Sequence, residues 1–201
     1  MKEYRKTLTT PANLVTFGRI LLLIALAFAL QYNVQWIRIL TFIMIPVLFY
    51  LDSLDGMLAR KFNCSTKVGG ILDIAGDRIV ENVLWVLLAY LHIIHFWIPV
   101  IILVRGFITD AFRSAAIAKG HTSFSMMPPK SLSWWFVASP LSRTSYAISK
   151  AILFTMGVGI WSFKISHWTW LEPAFNTLLV FTVTLCLLRG IFTVKSCIKS
   201  I

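Results

Sequence analysis

Charge is scarce in this sequence. Asp, Glu, Lys and Arg make up 13% of its 201 residues and apolar types 58%, against roughly 25% and 45–50% in soluble domains. With a mean hydropathy of +0.78, a soluble globular domain is excluded. Intrinsic disorder is excluded as well, because 14% aromatic content and long apolar runs are the reverse of the composition that keeps chains unfolded. Cysteine is sparse too: Cys64, Cys186 and Cys197 are odd in number and show neither CxxC nor Cys/His spacing, so neither a disulfide framework nor a zinc site is expected. Acid is the rarest charge, with 8 Asp and Glu against 19 Lys and Arg and a formal net charge of +11. That surplus suits anionic lipid headgroups. Nucleic acid is set aside as a partner, because basic clusters parted by long apolar runs do not form a groove reader.

What the chain does have is apolar length. A helix of about 20 apolar residues crosses the hydrocarbon core, where no backbone polar group can go unpaired. Six segments qualify, near 14–31, 36–59, 68–91, 97–118, 145–163 and 173–193. The expected fold is therefore all-α and integral to the membrane: a six-transmembrane-helix bundle forming a single domain over 1–201. The first span has no small-residue cleavage site before Gln31-Tyr32-Asn33 and is expected to stay in the mature protein.

Orientation follows from the short connections. Lys2, Arg5, Lys6, Arg60, Lys61, Lys67, Arg113, Lys119, Lys130, Arg143, Lys195 and Lys199 fall at the termini and the even-numbered connections, whereas the other connections carry only Lys164. Both termini are thus expected in the cytoplasm. The long fourth connection ends in Lys130 and the pair Trp134-Trp135, which reads as a segment at headgroup level.

The rare acids are clustered. Of five aspartates, Asp52, Asp55, Asp73 and Asp77 lie at the junction of spans two and three. An ionised aspartate at a helix centre costs roughly 2.5–3.5 kcal/mol on insertion scales, so four require compensation. Residues three or four apart share a helical face. Asp52 with Asp55, and Asp73 with Asp77, therefore form two acidic faces, which the short 60–67 connection brings side by side. Cations must sit among them, and all-oxygen ligation suits Mg²⁺ or Mn²⁺, two ions balancing four charges. Paired ions of that kind serve displacement at phosphorus. Gly56 and Gly69 permit close approach, and Arg60 offers a planar fork to a phosphate.

The string Asp52-Ser53-Leu54-Asp55-Gly56-Met57-Leu58-Ala59-Arg60, followed after eight residues by Gly69 and then by Asp73 and Asp77, resembles the signature of the CDP-alcohol phosphotransferases. The resemblance implies that Asp52, Asp55 and Asp73 hold two divalent metals, with Asp77 completing the cluster and acting as the base. It implies that Gly56 and Arg60 hold the CDP moiety of a CDP-diacylglycerol-type donor, with Ala59 and Gly69 in the same motif and Thr66 assisting from the connection. The N-terminal string Pro11-Ala12-Asn13-Leu14-Val15-Thr16-Phe17-Gly18-Arg19 is similar to a further element of the family, with one extra residue after the proline, and brings in Asn13 and Thr16. Arg19 reads either as a phosphate contact or as a side chain snorkelling to the interface. The resemblance also implies a homodimer in the inner membrane with its active site facing the cytoplasm.

Acceptor choice is expected in the later spans. Arg105 and Arg113 are about 80° apart on one helix and can border one cavity, which favours an anionic, phosphorylated alcohol. The string Arg105-Gly106-Phe107-Ile108-Thr109-Asp110-Ala111-Phe112-Arg113 is similar to an element of the members that use glycerol 3-phosphate, the phosphatidylglycerophosphate synthases, with Gly106 where an acid is usual. Lys150 partly echoes a second element, and Arg143 lies just before it. Asp77-Arg78 is similar to a pair in members that use inositol phosphate, and phosphatidylglycerol is a further alternative acceptor. From a different class, a cation transporter would also carry intramembrane carboxylates, but it would need them at successive depths. His92 and His95 read as interfacial, and Trp168 and Trp170 as outer anchors.

Overall fold

In the computed structural model the backbone is described for residues 11–32, 34–61, 67–119, 131–163 and 170–200, and side chains for 13–32, 34–52, 69–119, 131–163 and 170–199. Among the described residues there are six long helices and no strand: α1 (Pro11–Ala29), α2 (Gln35–Lys61), α3 (Lys67–Tyr90), α4 (Trp97–Ala118), α5 (Pro140–Ser162) and α6 (Leu171–Ser200). Each expected span falls on one of them. Among the described residues, three stretches are long and apolar enough to cross a membrane by length and composition: Asn13–Tyr32, Gln35–Asp52 and Leu171–Lys199. The other three helices also carry charges within their length, with Asp73, Asp77, Arg78 and Glu81 on α3, Arg105, Asp110 and Arg113 on α4, and Arg143 and Lys150 on α5.

The chain divides into two compact units, residues 1–93 with 154–166 and residues 94–153 with 167–201. In the first unit, α1 packs on α2 and α3. Its buried face is Asn13, Thr16, Arg19, Leu23, Leu26 and Leu30, a three-or-four-residue stripe, while Leu14, Leu21, Ile24 and Phe28 are exposed. An inward face that is polar over its first half, with an apolar outward one, departs from the pattern of a soluble helix and suits a lipid environment. Arg38, Thr41, Ile45 and Leu48 make the matching stripe on α2, which leads to Asp52 four residues on. Pro46 lies inside this helix and removes one ladder hydrogen bond.

Aromatic packing fixes the apolar end of this unit. Trp85 of α3 is fully buried and meets Phe154 edge-on at 4.9 Å, and Phe49 stacks on Phe154 at 6.1 Å. Ser162 donates to the carbonyl of Arg38, Gln35 donates to the carbonyl of Ser162, and the Arg38 guanidinium sits 4.3 Å over the Trp161 ring. Helix α3 ends in a left-handed cap at His92, φ 57°. The Ile93 amide bonds to Leu88 and the His92 amide to Ala89, which together form a Schellman ending. His92 thus has a backbone role that its interfacial reading did not contain.

In the second unit, α4 packs along α6. The buried positions Phe175, Leu179, Thr182, Cys186, Thr193 and Ser196 recur every three or four residues, and Arg189 falls on the same stripe. Before α5 the chain makes a π turn, Trp134–Ala138, whose closing bond runs from the Ser139 amide to the Trp134 carbonyl at 2.8 Å. Ser139 then leaves the helical region, accepts from the Ser142 amide at 3.2 Å and precedes Pro140, an N-cap followed by proline at the first helical position. Helix α5 accordingly starts five residues before the expected span, and α6 runs to Ser200 rather than 193.

Candidate active site

Asp52 is the last described side chain on the α2 stripe, and Asp73 and Asp77 stand one turn apart on α3. One carboxylate oxygen from each lies within 4.8 Å of the others, so Asp52 of α2 meets the acidic face of α3, while the Asp55 side chain lies outside the described residues. The side chains of Asp52 and Asp77 are 39% and 48% exposed, leaving the cluster open on one side. A set of hard oxygen donors of this density, drawn from two helices, fits a divalent cation of the Mg²⁺ or Mn²⁺ type.

A third helix completes the arrangement. Arg19 of α1 is 2% exposed and forks across the cluster, with Nη1 donating to Asp52 Oδ1 and Nη2 donating to Asp77 Oδ1 at 2.6 Å. The snorkelling alternative for Arg19 is therefore replaced by a buried bridge between two carboxylates of different helices. Its approach depends on Gly76: a Cβ there would stand 2.5 Å from Thr16 Cγ2 and 3.6 Å from Arg19 Nη2. Asn13 and Thr16, both buried, occupy the same face of α1 as Arg19.

The other expected donor-binding residues are placed less fully. The backbones of Asp55, Gly56, Ala59 and Arg60 continue α2, but their side chains lie outside the described residues, and Thr66 lies outside them altogether. Gly69 sits in the first turn of α3, one turn before Asp73.

The expected acceptor residues fall in the second unit. Arg105 of α4 lies across Gly190 of α6, where a Cβ would be 2.7 Å from its Nε. Arg105 and Arg143 are both within electrostatic reach of Arg189 on α6. Lys150 Nζ is 4.4 Å and the Arg189 guanidinium 5.2 Å from the centroid of the Tyr146 ring. Arg189 also donates to the carbonyls of Phe136 and Val137 and to Ser142 Oγ, tying the π turn to α6. Sequence reasoning missed this arginine. The signal was available, since it continues the Thr182 and Cys186 stripe and an intramembrane arginine is a functional candidate by default. Arg113 lies near Cys197 and is not among the described residues lining the groove that Arg105 borders.

Helices alone among the described residues, apolar spans and a three-carboxylate cluster that could hold a metal ion together describe an integral membrane protein. The family model for CDP-alcohol phosphatidyltransferases matches residues 9–200, and the chain belongs to that family. Among the curated proteins nothing matches it.

Proposed function

We propose that the protein transfers the phosphatidyl group of CDP-diacylglycerol to the hydroxyl of glycerol 3-phosphate, releasing CMP. The observation that carries this reading is the convergence of Asp52, Asp73 and Asp77 within 4.8 Å, together with the family signature that supplies Asp55. These four carboxylates would hold two Mg²⁺ or Mn²⁺ ions, which when bound neutralise the diphosphate of the donor. Gly56, Ala59 and Gly69 leave room for the CDP group, and Arg60, Thr66, Asn13 and Thr16 bind it.

Asp77 accepts the proton of the acceptor hydroxyl. The hydroxyl oxygen forms its bond to the lipid-side phosphorus, the bond from that phosphorus to the bridging oxygen breaks, and CMP departs with the electron pair. Arg19 holds Asp52 and Asp77 at a fixed separation and is a positioning residue. Arg105, Arg143 and Lys150, now joined by Arg189, bind the acceptor phosphate, with Arg113 as a further contact from α4. A cluster of guanidiniums favours a phosphorylated acceptor over a neutral or zwitterionic one.

The same reading takes the six helices as six spans of one domain in the inner membrane, both termini cytoplasmic, acting as a homodimer. Purified protein with Mg²⁺ and CDP-diacylglycerol, offered glycerol 3-phosphate, inositol 1-phosphate, serine or phosphatidylglycerol in turn, tests the substrate. Release of CMP with glycerol 3-phosphate is expected, and release with inositol 1-phosphate or phosphatidylglycerol alone would replace the acceptor while keeping the chemistry.

A further inference from the structure

An open groove of about 610 Å³ runs between α4 and α6 of the second unit. Its floor is apolar, formed by Ile108, Ile191, Val194 and Ile198 among others. Ile108, Ile191 and Ile198 are 48%, 61% and 57% exposed, so the groove faces outward rather than into the packed interior. Gly190 leaves that point of α6 without a side chain, and Arg105 lies across it, its Nε, Cγ and Cδ standing 2.7, 2.9 and 3.3 Å from where a Cβ would be. From Leu187 to Lys199 the α6 wall rises about 18 Å at the helical repeat, which is of the order of an extended fatty acyl chain.

The far end of the groove is cationic. Lys195 and Lys199 both line it, one turn apart on one face of the last turns of α6. Both are exposed, and neither forms an ion pair with a described residue. Like charges at this spacing repel, and an anion seated between them removes that repulsion.

We propose that this groove binds one anionic phospholipid, its acyl chain along Ile108, Ile191 and Val194 and its phosphate between Lys195 and Lys199. Charge complementarity selects this occupant over a second copy of the chain, because a symmetric contact through the groove would set the lysines of one copy against those of the other. Arg105, which the proposed function assigns to the acceptor, also lines the groove. The test of the proposal leaves Arg105 untouched for that reason.

Full-length protein is reconstituted into phosphatidylcholine vesicles carrying trace spin-labelled phosphatidylserine, phosphatidylglycerol or phosphatidylcholine, and the motionally restricted fraction of each label is read. Both anionic lipids should be retained several-fold over phosphatidylcholine, since one basic residue near the surface is worth about fivefold. Lys195→Gln with Lys199→Gln should bring both down to the phosphatidylcholine level, with thermal melting unchanged. Ile191→Trp, which fills the groove and keeps the charges, should lower retention of the anionic labels. Equal retention of the three labels by the wild type, or a preference that survives the double glutamine variant, would overturn the proposal. Retention of phosphatidylglycerol alone would mark a site for a reaction component instead. A change of oligomeric state in Ile191→Trp with unchanged lipid retention would assign the groove to a second copy.

Discussion

Arg19 is where carboxylates of two helices find a common partner. Its guanidinium is buried and forks to Asp52 and Asp77, and an ammonium on a flexible stem cannot reproduce two directed bonds of that geometry. Arg19→Gln is expected to lower stability by about 1–3 kcal/mol, the low end of the effect of breaking an ion pair because the carboxylates are half open to their surroundings. Arg19→Lys should recover only part of this, and thermal melting in detergent measures both; an unchanged midpoint for the glutamine variant contradicts the bridge. Asp77 carries a different expectation. As the proposed base it should tolerate Asp77→Asn in donor binding but not in turnover, so CDP-lipid affinity remains measurable while CMP release falls at least a hundredfold. A wild-type rate in that variant removes the base assignment.

Two glycines set how closely the helices approach, and they have different consequences. At Gly76 a Cβ would meet Thr16 Cγ2 at 2.5 Å, a clash that a turn of the Thr16 side chain or a shift of α1 against α3 must relieve. Gly76→Ala is therefore expected to destabilise by about 1–3 kcal/mol and to draw Arg19 off the cluster, so that both melting midpoint and turnover fall. At Gly190 the obstacle is the stem of Arg105, a side chain able to move. Gly190→Ala should leave the melting midpoint nearly unchanged and raise the KM for a phosphorylated acceptor, with the KM for CDP-diacylglycerol unaffected. If both constants stay at wild-type values, Arg105 does not serve the acceptor. At the start of α5, Ser139 caps the helix through the Ser142 amide, and Ser139→Ala should cost about 1 kcal/mol.

At the scale of the whole molecule, the helices were legible because a bilayer imposes a length on every crossing segment, and the acidic cluster because aspartates at three- and four-residue spacing must share a face. What escaped the sequence are features that depend on pairing between distant segments. Arg19 looked like one of two things until α3 offered a glycine to approach. Arg189 was missed, since its partners Phe136, Val137 and Ser142 belong to a π turn that no apolar period announces. The early start of α5 was hidden because Ser139-Pro140 lies in a polar stretch that fails a hydropathy reading while satisfying a capping one. His92 was read by its depth, although its left-handed backbone is what closes α3.

In the proposed function Asp52, Asp73 and Asp77, with Asp55, hold hard cations without which the donor diphosphate is not broken. The direct measurement is CMP release from CDP-diacylglycerol by protein exhaustively chelated and then resupplied with Mg²⁺, beside an Asp73→Asn variant treated in the same way. A metal-dependent site predicts no release after chelation, recovery on adding Mg²⁺, and no recovery in the variant. Undiminished release by the chelated wild-type protein would contradict it.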